Sequence, residues 1–191
     1  RPMLLPERRG SRPFDQPGWA FESKYVGYRL VAGVDQGEVQ LATKSGGDAT
    51  RWFPELVRAL ATLPGGPHVL DGEVVVLDHL GRSDFERLHA RARRRRWVEG
   101  CDPVAYCAFD LLARDGRSLV ALPLEVRKAQ LRELLTPVPP GVLYVDQFAT
   151  HEAGEAFEHA KRLELEGLVA KRVGSTYQPG VRSEEWLKVK V

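Results

Sequence analysis

Short runs of apolar, aromatic and β-branched residues, each closed by glycine, aspartate or proline, recur along this chain and limit what it can fold into. Trp19 to Glu22, Tyr28 to Val34 and Glu38 to Thr43 read as strands, the last two joined across Asp35-Gln36-Gly37 as a hairpin. Val69 to Leu77 is a strand broken at Gly72, and Val104 to Leu112 is a buried strand by composition. Val142 to Phe148, Gly167 to Arg172 and Trp186 to Val191 complete the set. Helices fall between them. Thr50 reads as the N-cap of a helix to Leu63, with Phe53, Leu56, Val57 and Leu60 at helical spacing and Pro54 tolerated in the first turn. Ser83-Asp84-Phe85-Glu86 matches a capping box opening a short helix, and two further helices span Leu124 to Leu135 and about Glu152 to Leu165. Strands outnumber helices and no internal repeat is visible. The pattern predicts an α+β domain with antiparallel β-sheets flanked by helices.

A chain of 191 residues, 43% apolar and 28% charged, can bury one full core and has the composition of a soluble globular protein. No apolar run approaches the ~20 residues that cross a bilayer, and the first residues hold no signal-peptide block, so no membrane role is expected. Residues 1–18 carry Pro2, Pro6, Pro13 and Pro17 with Gly10 and Gly18, which reads as an extended arm. Cys101 and Cys107 are too few for a disulfide framework or a metal cluster; two buried free thiols in a reducing cytoplasm are expected. Net charge is only +2, but Arg91-Ala92-Arg93-Arg94-Arg95-Arg96 holds five arginines in six positions, and Arg8, Arg9 and Arg12 crowd the amino terminus. Such patches attract phosphate backbones; a solvated helix face would look the same.

One lysine stands out. Lys24 sits at a strand end beside Gly27, between aromatic-rich segments. A lysine nucleophile must be neutral, against a reference pKa of about 10.4, so attack near pH 7 costs on the order of 4 kcal/mol unless the site lowers that pKa. Nearby cations do so, and Lys171, Lys188 and Lys190 would supply them if the fold gathers their strands. The same cations would hold a triphosphate, whose chemistry also calls for a hard divalent ion on few carboxylates. Glu73 and Glu166, each beside a glycine at a strand boundary, are the candidate carboxylates, and Phe109 on an apolar strand could stack on a purine. Singly, each also fits a structural role: a strand-end carboxylate, a helix-terminal residue, a core aromatic.

Taken in order, Lys24-Tyr25-Val26-Gly27, Asp71-Gly72-Glu73, Phe109-Asp110, Glu166-Gly167-Leu168-Val169-Ala170-Lys171 and Lys188-Val189-Lys190 resemble the motif series of ATP-dependent DNA ligases, closest in style to bacterial end-joining ligases. The resemblance spans nearly the whole chain. It implies an ATP-grasp-like nucleotidyltransferase fold at residues 19–191 and a lysine that takes AMP from ATP, then passes it to the 5′-phosphate of a DNA break. By residue, it implies Lys24 as AMP acceptor, Glu22 at the adenine edge, Arg29 near the ribose and the DNA end, and Lys44 on DNA. It also implies Glu73 on the ribose hydroxyl, Phe109 on adenine, Glu166 with Glu73 toward Mg²⁺ or Mn²⁺, and Lys171, Lys188 and Lys190 on phosphate. Nicked or broken duplex DNA, a Ku-like end-binding protein, a following OB-fold domain and a cytoplasmic, nucleoid setting are the implied context. Val26 departs from the family pattern, which has aspartate there, so a polar contact near Lys24 or Arg29 is lost and at least one step should be slow. RNA ligases and mRNA-capping guanylyltransferases share the lysine chemistry, and a DNA-binding relative impaired by Val26 is the reading from another class.

Overall fold

The computed structural model describes residues 1–6 and 16–191. Its strands are β1 (Trp19–Ser23), β2 (Tyr28–Asp35), β3 (Glu38–Thr43), β4 (His68–Val75), β5 (Ala105–Arg114), β6 (Arg117–Ser118), β7 (Val142–Tyr144), β8 (Gly167–Arg172) and β9 (Trp186–Lys190). The helices are α1 (Pro54–Leu60), α2 (Phe85–Arg93), α3 (Leu124–Leu134) and α4 (Ala153–Arg162). They build two sheets. The smaller has the order β1-β8-β9, all antiparallel; the larger has the order β3-β2-β4-β5-β6, with β7 added beside β5. The β5–β7 pair is parallel, the one exception to the antiparallel expectation among the described strands.

Side-chain alternation explains the layering, because successive residues of a strand point to opposite faces. On the small sheet Trp19, Phe21, Leu168, Ala170, Leu187 and Val189 pack with Ala153 and Phe157 of α4. Their neighbours Glu22, Val169, Lys171, Trp186 and Lys188 line a cleft instead. On the large sheet Leu30, Ala32, Leu70 and Val74 join Leu56, Leu60, Leu88, Ala92 and Leu131 of the covering helices in the main core. Arg29, Glu73 and Phe109 alternate out of that core into the same cleft. Residues from both sheets therefore line a single cleft, charged side chains beside aromatic ones.

Several local expectations shift, each for a stated reason. Thr50 does not cap α1: a 3-10 turn covers Thr50–Trp52, Phe53 lies outside the helical region, and the helix begins at Pro54. A residue before proline is pushed out of the α region, and the Thr50 hydroxyl is spent accepting the Leu41 N–H at 3.0 Å. Asp84, not Ser83, caps α2, its carboxylate accepting the Arg87 N–H at 3.0 Å. Ser83 is free to accept the Val26 N–H at 3.1 Å, a long-range contact no local pattern announces. β4 runs unbroken through Gly72, with register shifts against β5 in place of a break. The stretch from Val142 to Phe148 is not one strand: β7 joins the large sheet, and the Phe148 N–H reaches the Phe21 carbonyl of the small sheet at 2.7 Å. That segment ties the two sheets together.

The start of the expected arm is docked. Met3 is fully buried with Tyr177 and Trp186, and the Leu4 N–H donates to the Val181 carbonyl at 2.8 Å. Arg8, Arg9 and Arg12 lie outside the described residues. Within the arginine run, Arg91 is not part of a solvated patch: it is buried, bonded to Glu55 at 3.0 Å and stacked over Phe53. Cys107 is buried as expected, whereas Cys101 is only half-buried. No helix among the described residues is long and apolar enough to cross a membrane.

Candidate active site

The cleft encloses about 1250 Å³. Lys24 enters it from the turn between β1 and β2. Its N–H donates to the Gly167 carbonyl at 3.0 Å, anchoring the turn to the small sheet. Its Nζ lies 2.5 Å from Oε2 of Glu166, with both side chains largely covered. Two glycines make this approach feasible. A Cβ on Gly27 would sit 1.9 Å from the Val74 carbonyl oxygen, and one on Gly167, whose φ is +137°, would sit 2.1 Å from that of Val189. The Gly27 N–H donates to Oε1 of Glu73 at 3.1 Å, which ties the lysine turn to the large sheet as well.

Glu73 is a strongly perturbed carboxylate. Burial pushes its pKa up to about 7, against the pull of Arg29 and Lys24, which favour the ionised form. A carboxyl raised in the folded state favours folding most fully below its unfolded pKa, and loses that contribution as pH rises through the folded value. Glu73→Gln should therefore gain thermal stability relative to the parent between about pH 5 and pH 8. Melting curves across that range check it; a constant offset at every pH would contradict the assignment.

Arg29 meets its partner across strands. Nε and Nη2 form a two-pronged pair with Asp71, both at 2.6 Å, and Nη2 also donates to the Met3 carbonyl at 3.2 Å. The Tyr177 hydroxyl donates to the same carboxylate at 2.5 Å. Burial alone would lower the Arg29 pKa, but the Asp71 charge carries it above its ordinary value. The guanidinium lies 4.7 Å over the Phe109 ring. Asp71 is a residue the motif reading passed over, although it shares a strand face with Glu73 two positions on.

Glu22 is occupied from two sides. Its carboxylate lies 2.7 Å from Nζ of Lys171 and 3.1 Å from Nζ of Lys128, and Gln147 donates to it at 3.1 Å. Burial would raise its pKa, yet the Lys128 and Lys171 charges hold it below the usual carboxylate range. Burial in turn lowers the Lys171 pKa, and Glu22 offsets part of that. The Lys171–Glu22 contact is a close ion pair off the line of an ideal hydrogen bond, and the ammonium also lies over Phe109 and Trp186 at 4.6 and 4.1 Å. Lys171 is thus not a spare positive charge beside Lys24; much of its field is balanced by Glu22.

Lys188 lines the cleft, and Lys44 does so from the turn after β3. Lys190, on the same strand face as Lys188, is exposed and lies beyond the cleft lining. Trp52, Arg95, Val169 and Arg182 line it too and were not singled out from the sequence. Among the described residues no group of three or more His, Cys, Asp or Glu side chains could hold a metal by itself.

Residues 8–190 match the family model described as ATP dependent DNA ligase domain. The chain is 37% identical over 190 residues to the multifunctional non-homologous end joining protein LigD of Mycolicibacterium smegmatis, covering all of this chain and 24% of that protein. The ligase domain of LigD from M. tuberculosis superimposes with a TM-score of 0.81 at 35% identity, over 99% of this chain and 60% of that one. A mycobacterial DNA ligase D complexed with ATP and MES gives 0.80 at 36% identity, over 99% of this chain and 59% of that one. With the motif lysine, Glu73 and the aromatic wall gathered in one cleft, Glu166 in contact with that lysine, and matches along nearly its whole length, the chain belongs to the ATP-dependent DNA ligases and contains their ATP dependent DNA ligase domain.

Proposed function

We propose that Lys24 Nζ attacks the α-phosphorus of ATP, forming a P–N bond as pyrophosphate leaves, and that the AMP then passes to the 5′-phosphate of a DNA break for sealing. The observation that carries this is the Lys24–Glu166 contact at 2.5 Å, with Lys24 lining a cleft large enough for a nucleotide beside Phe109, Lys171 and Lys188. An amine must shed a proton before its lone pair can attack, and the Glu166 carboxylate is positioned to take it. Lys188 and Lys171 would face the phosphates, with Lys190 at the outer end of that strand. Phe109 would receive the adenine, Glu22 border its edge and Glu73 take a ribose hydroxyl. Arg29 and Lys44 would approach the DNA end.

A divalent ion fits this donor set. Mg²⁺ needs few protein carboxylates because phosphate oxygens and waters fill its shell, so Glu166 and Glu73 would hold Mg²⁺ or Mn²⁺ without a dedicated cage. When bound, it would neutralise triphosphate charge. The chain spans about a quarter of the LigD relative and 60% of the solved M. tuberculosis ligase domain; we assign the complete sealing cycle to a longer protein and expect an OB-fold domain to complete it. End-joining relatives support broken duplex DNA as substrate, with a Ku-like end-binding partner at the nucleoid of the bacterial cytoplasm.

The test is covalent labelling with ATP and GTP in parallel, with and without chelator. An acid-labile, alkali-stable adduct from ATP alone, lost with chelator and restored by Mg²⁺ or Mn²⁺, is expected. Equal labelling from GTP would move the reading to a capping-type transferase.

Val26 is the second handle. Arg29 already has its carboxylate in Asp71, and the Val26 backbone is held by Ser83, so an aspartate at 26 would act on the lysine turn. Val26→Asp should raise the rate of adenylation or of sealing a pre-adenylated nick by about ten-fold, the scale of one hydrogen bond to a charged group. No change in either single-turnover rate would make Val26 a neutral replacement.

A further inference from the structure

Phe85 and His89 stand one turn apart on α2, both exposed, with rings 6.0 Å apart and nearly parallel at 21°. Tyr28 leans on both, at 5.9 and 6.3 Å, and its hydroxyl lies 2.6 Å from Nδ1 of His89. Tyr28 also lines the cleft, as does Trp52, whose ring carries the Arg95 guanidinium at 5.5 Å. The aromatic surface thus runs without interruption from the cleft wall onto the outer face of α2. Positive charge follows it. Arg93 continues the Phe85–His89 stripe by one more turn, and Arg94 and Arg96 are exposed just beyond. Arg82 and Arg87, by contrast, are engaged by Asp78 and Asp102.

The main core accounts for Leu88 and Ala92 of this helix but not for the outward face of Phe85, which is 41% exposed. Exposed rings bordered by exposed arginines are what an unpaired nucleotide needs: a π-surface for the base and a cation for its phosphate. A paired duplex hides its base faces inside its own stack and can use only the charge. We infer that Phe85, His89 and Tyr28 form a stacking platform for unpaired bases of the DNA strand that enters the cleft. This rests on DNA being the substrate. It adds a preference, for ends with a single-stranded tail over blunt ends, that the nucleotide chemistry does not supply.

The probes are a fluorescent duplex with a short single-stranded tail and a fully paired duplex of equal phosphate number, titrated at one salt concentration. Phe85→Leu with His89→Ala keeps an apolar contact on the sheet but removes both ring faces. It should weaken binding to the tailed duplex about ten-fold, change the paired duplex less than two-fold, and leave ATP labelling intact. Equal losses on both probes, or none on either, would overturn the platform. Loss of ATP labelling in the variant would also overturn it, because the cluster would then be supporting the fold or the nucleotide site. Failure of the unmutated chain to label with ATP is a separate outcome that strikes the proposed function instead, so the two cannot be confused.

Discussion

Lys24→Ala should abolish covalent labelling from ATP, a loss of at least a thousand-fold, while the melting temperature stays within a few degrees of the parent. The expectation follows from the difference between nucleophilic and electrostatic roles: a supporting cation can be replaced in part by its neighbours, whereas the atom that forms the bond cannot. Lys171 is closely paired with Glu22 and clamped over two rings, and Lys188 lies on the far strand of the small sheet, so neither has the turn geometry to substitute. Removing Lys24 leaves Glu166 without its cation, but Glu166 is partly exposed and can be rehydrated at small cost. Labelling gels with melting curves on the same preparation check both halves.

Asp71→Asn should be the most destabilising single change at the site. Asp71 is fully buried and holds Arg29 through two bonds at 2.6 Å while accepting the Tyr177 hydroxyl. Neutralising it leaves a mostly buried guanidinium without its counter-charge, which costs about 3–5 kcal/mol. For a domain of this size that corresponds to a drop of about 10 °C in melting temperature. Replacing both partners by apolar residues, Arg29→Met with Asp71→Leu, should recover most of the stability but not the labelling activity. A double variant as unstable as Asp71→Asn would show that Asp71 acts through Tyr177 and Met3 rather than through Arg29.

Lys24, the cleft carboxylate Glu73 and the Lys24 partner Glu166 were legible in the sequence because each sits in a short motif at a strand end: Lys24 beside Gly27, Glu73 after Gly72, Glu166 before Gly167. Strand identity was legible for the same reason, since β3 and β8 follow directly from alternation and their turns. What failed to show were partnerships between distant positions. Asp71 reaches Arg29 only because β2 and β4 pair with Arg29 opposite Glu73, a register no local pattern encodes. Glu22 is expected at the adenine edge, but nothing in its local pattern announces that α3 brings Lys128 against it. The Ser83 hydroxyl looked like a cap because capping boxes are judged by spacing; the structure shifts the cap by one residue and gives that hydroxyl to Val26. Arg91 looked like part of a basic run, yet helical phase turns it inward onto Glu55 and Phe53 while Arg93 to Arg96 face out. Composition counts charges, but packing decides which of them reach solvent.

The most direct test of the central claim is the position of the adduct. After incubation with ATP and Mg²⁺, the protein is digested under alkaline conditions and the AMP-bearing peptide is sequenced by mass spectrometry. The account predicts one modified residue, Lys24, on the peptide that carries Tyr25, Val26 and Gly27. An adduct on Lys171, Lys188 or Lys190 would contradict it, because each of those lysines is assigned to holding phosphate and none to attacking it.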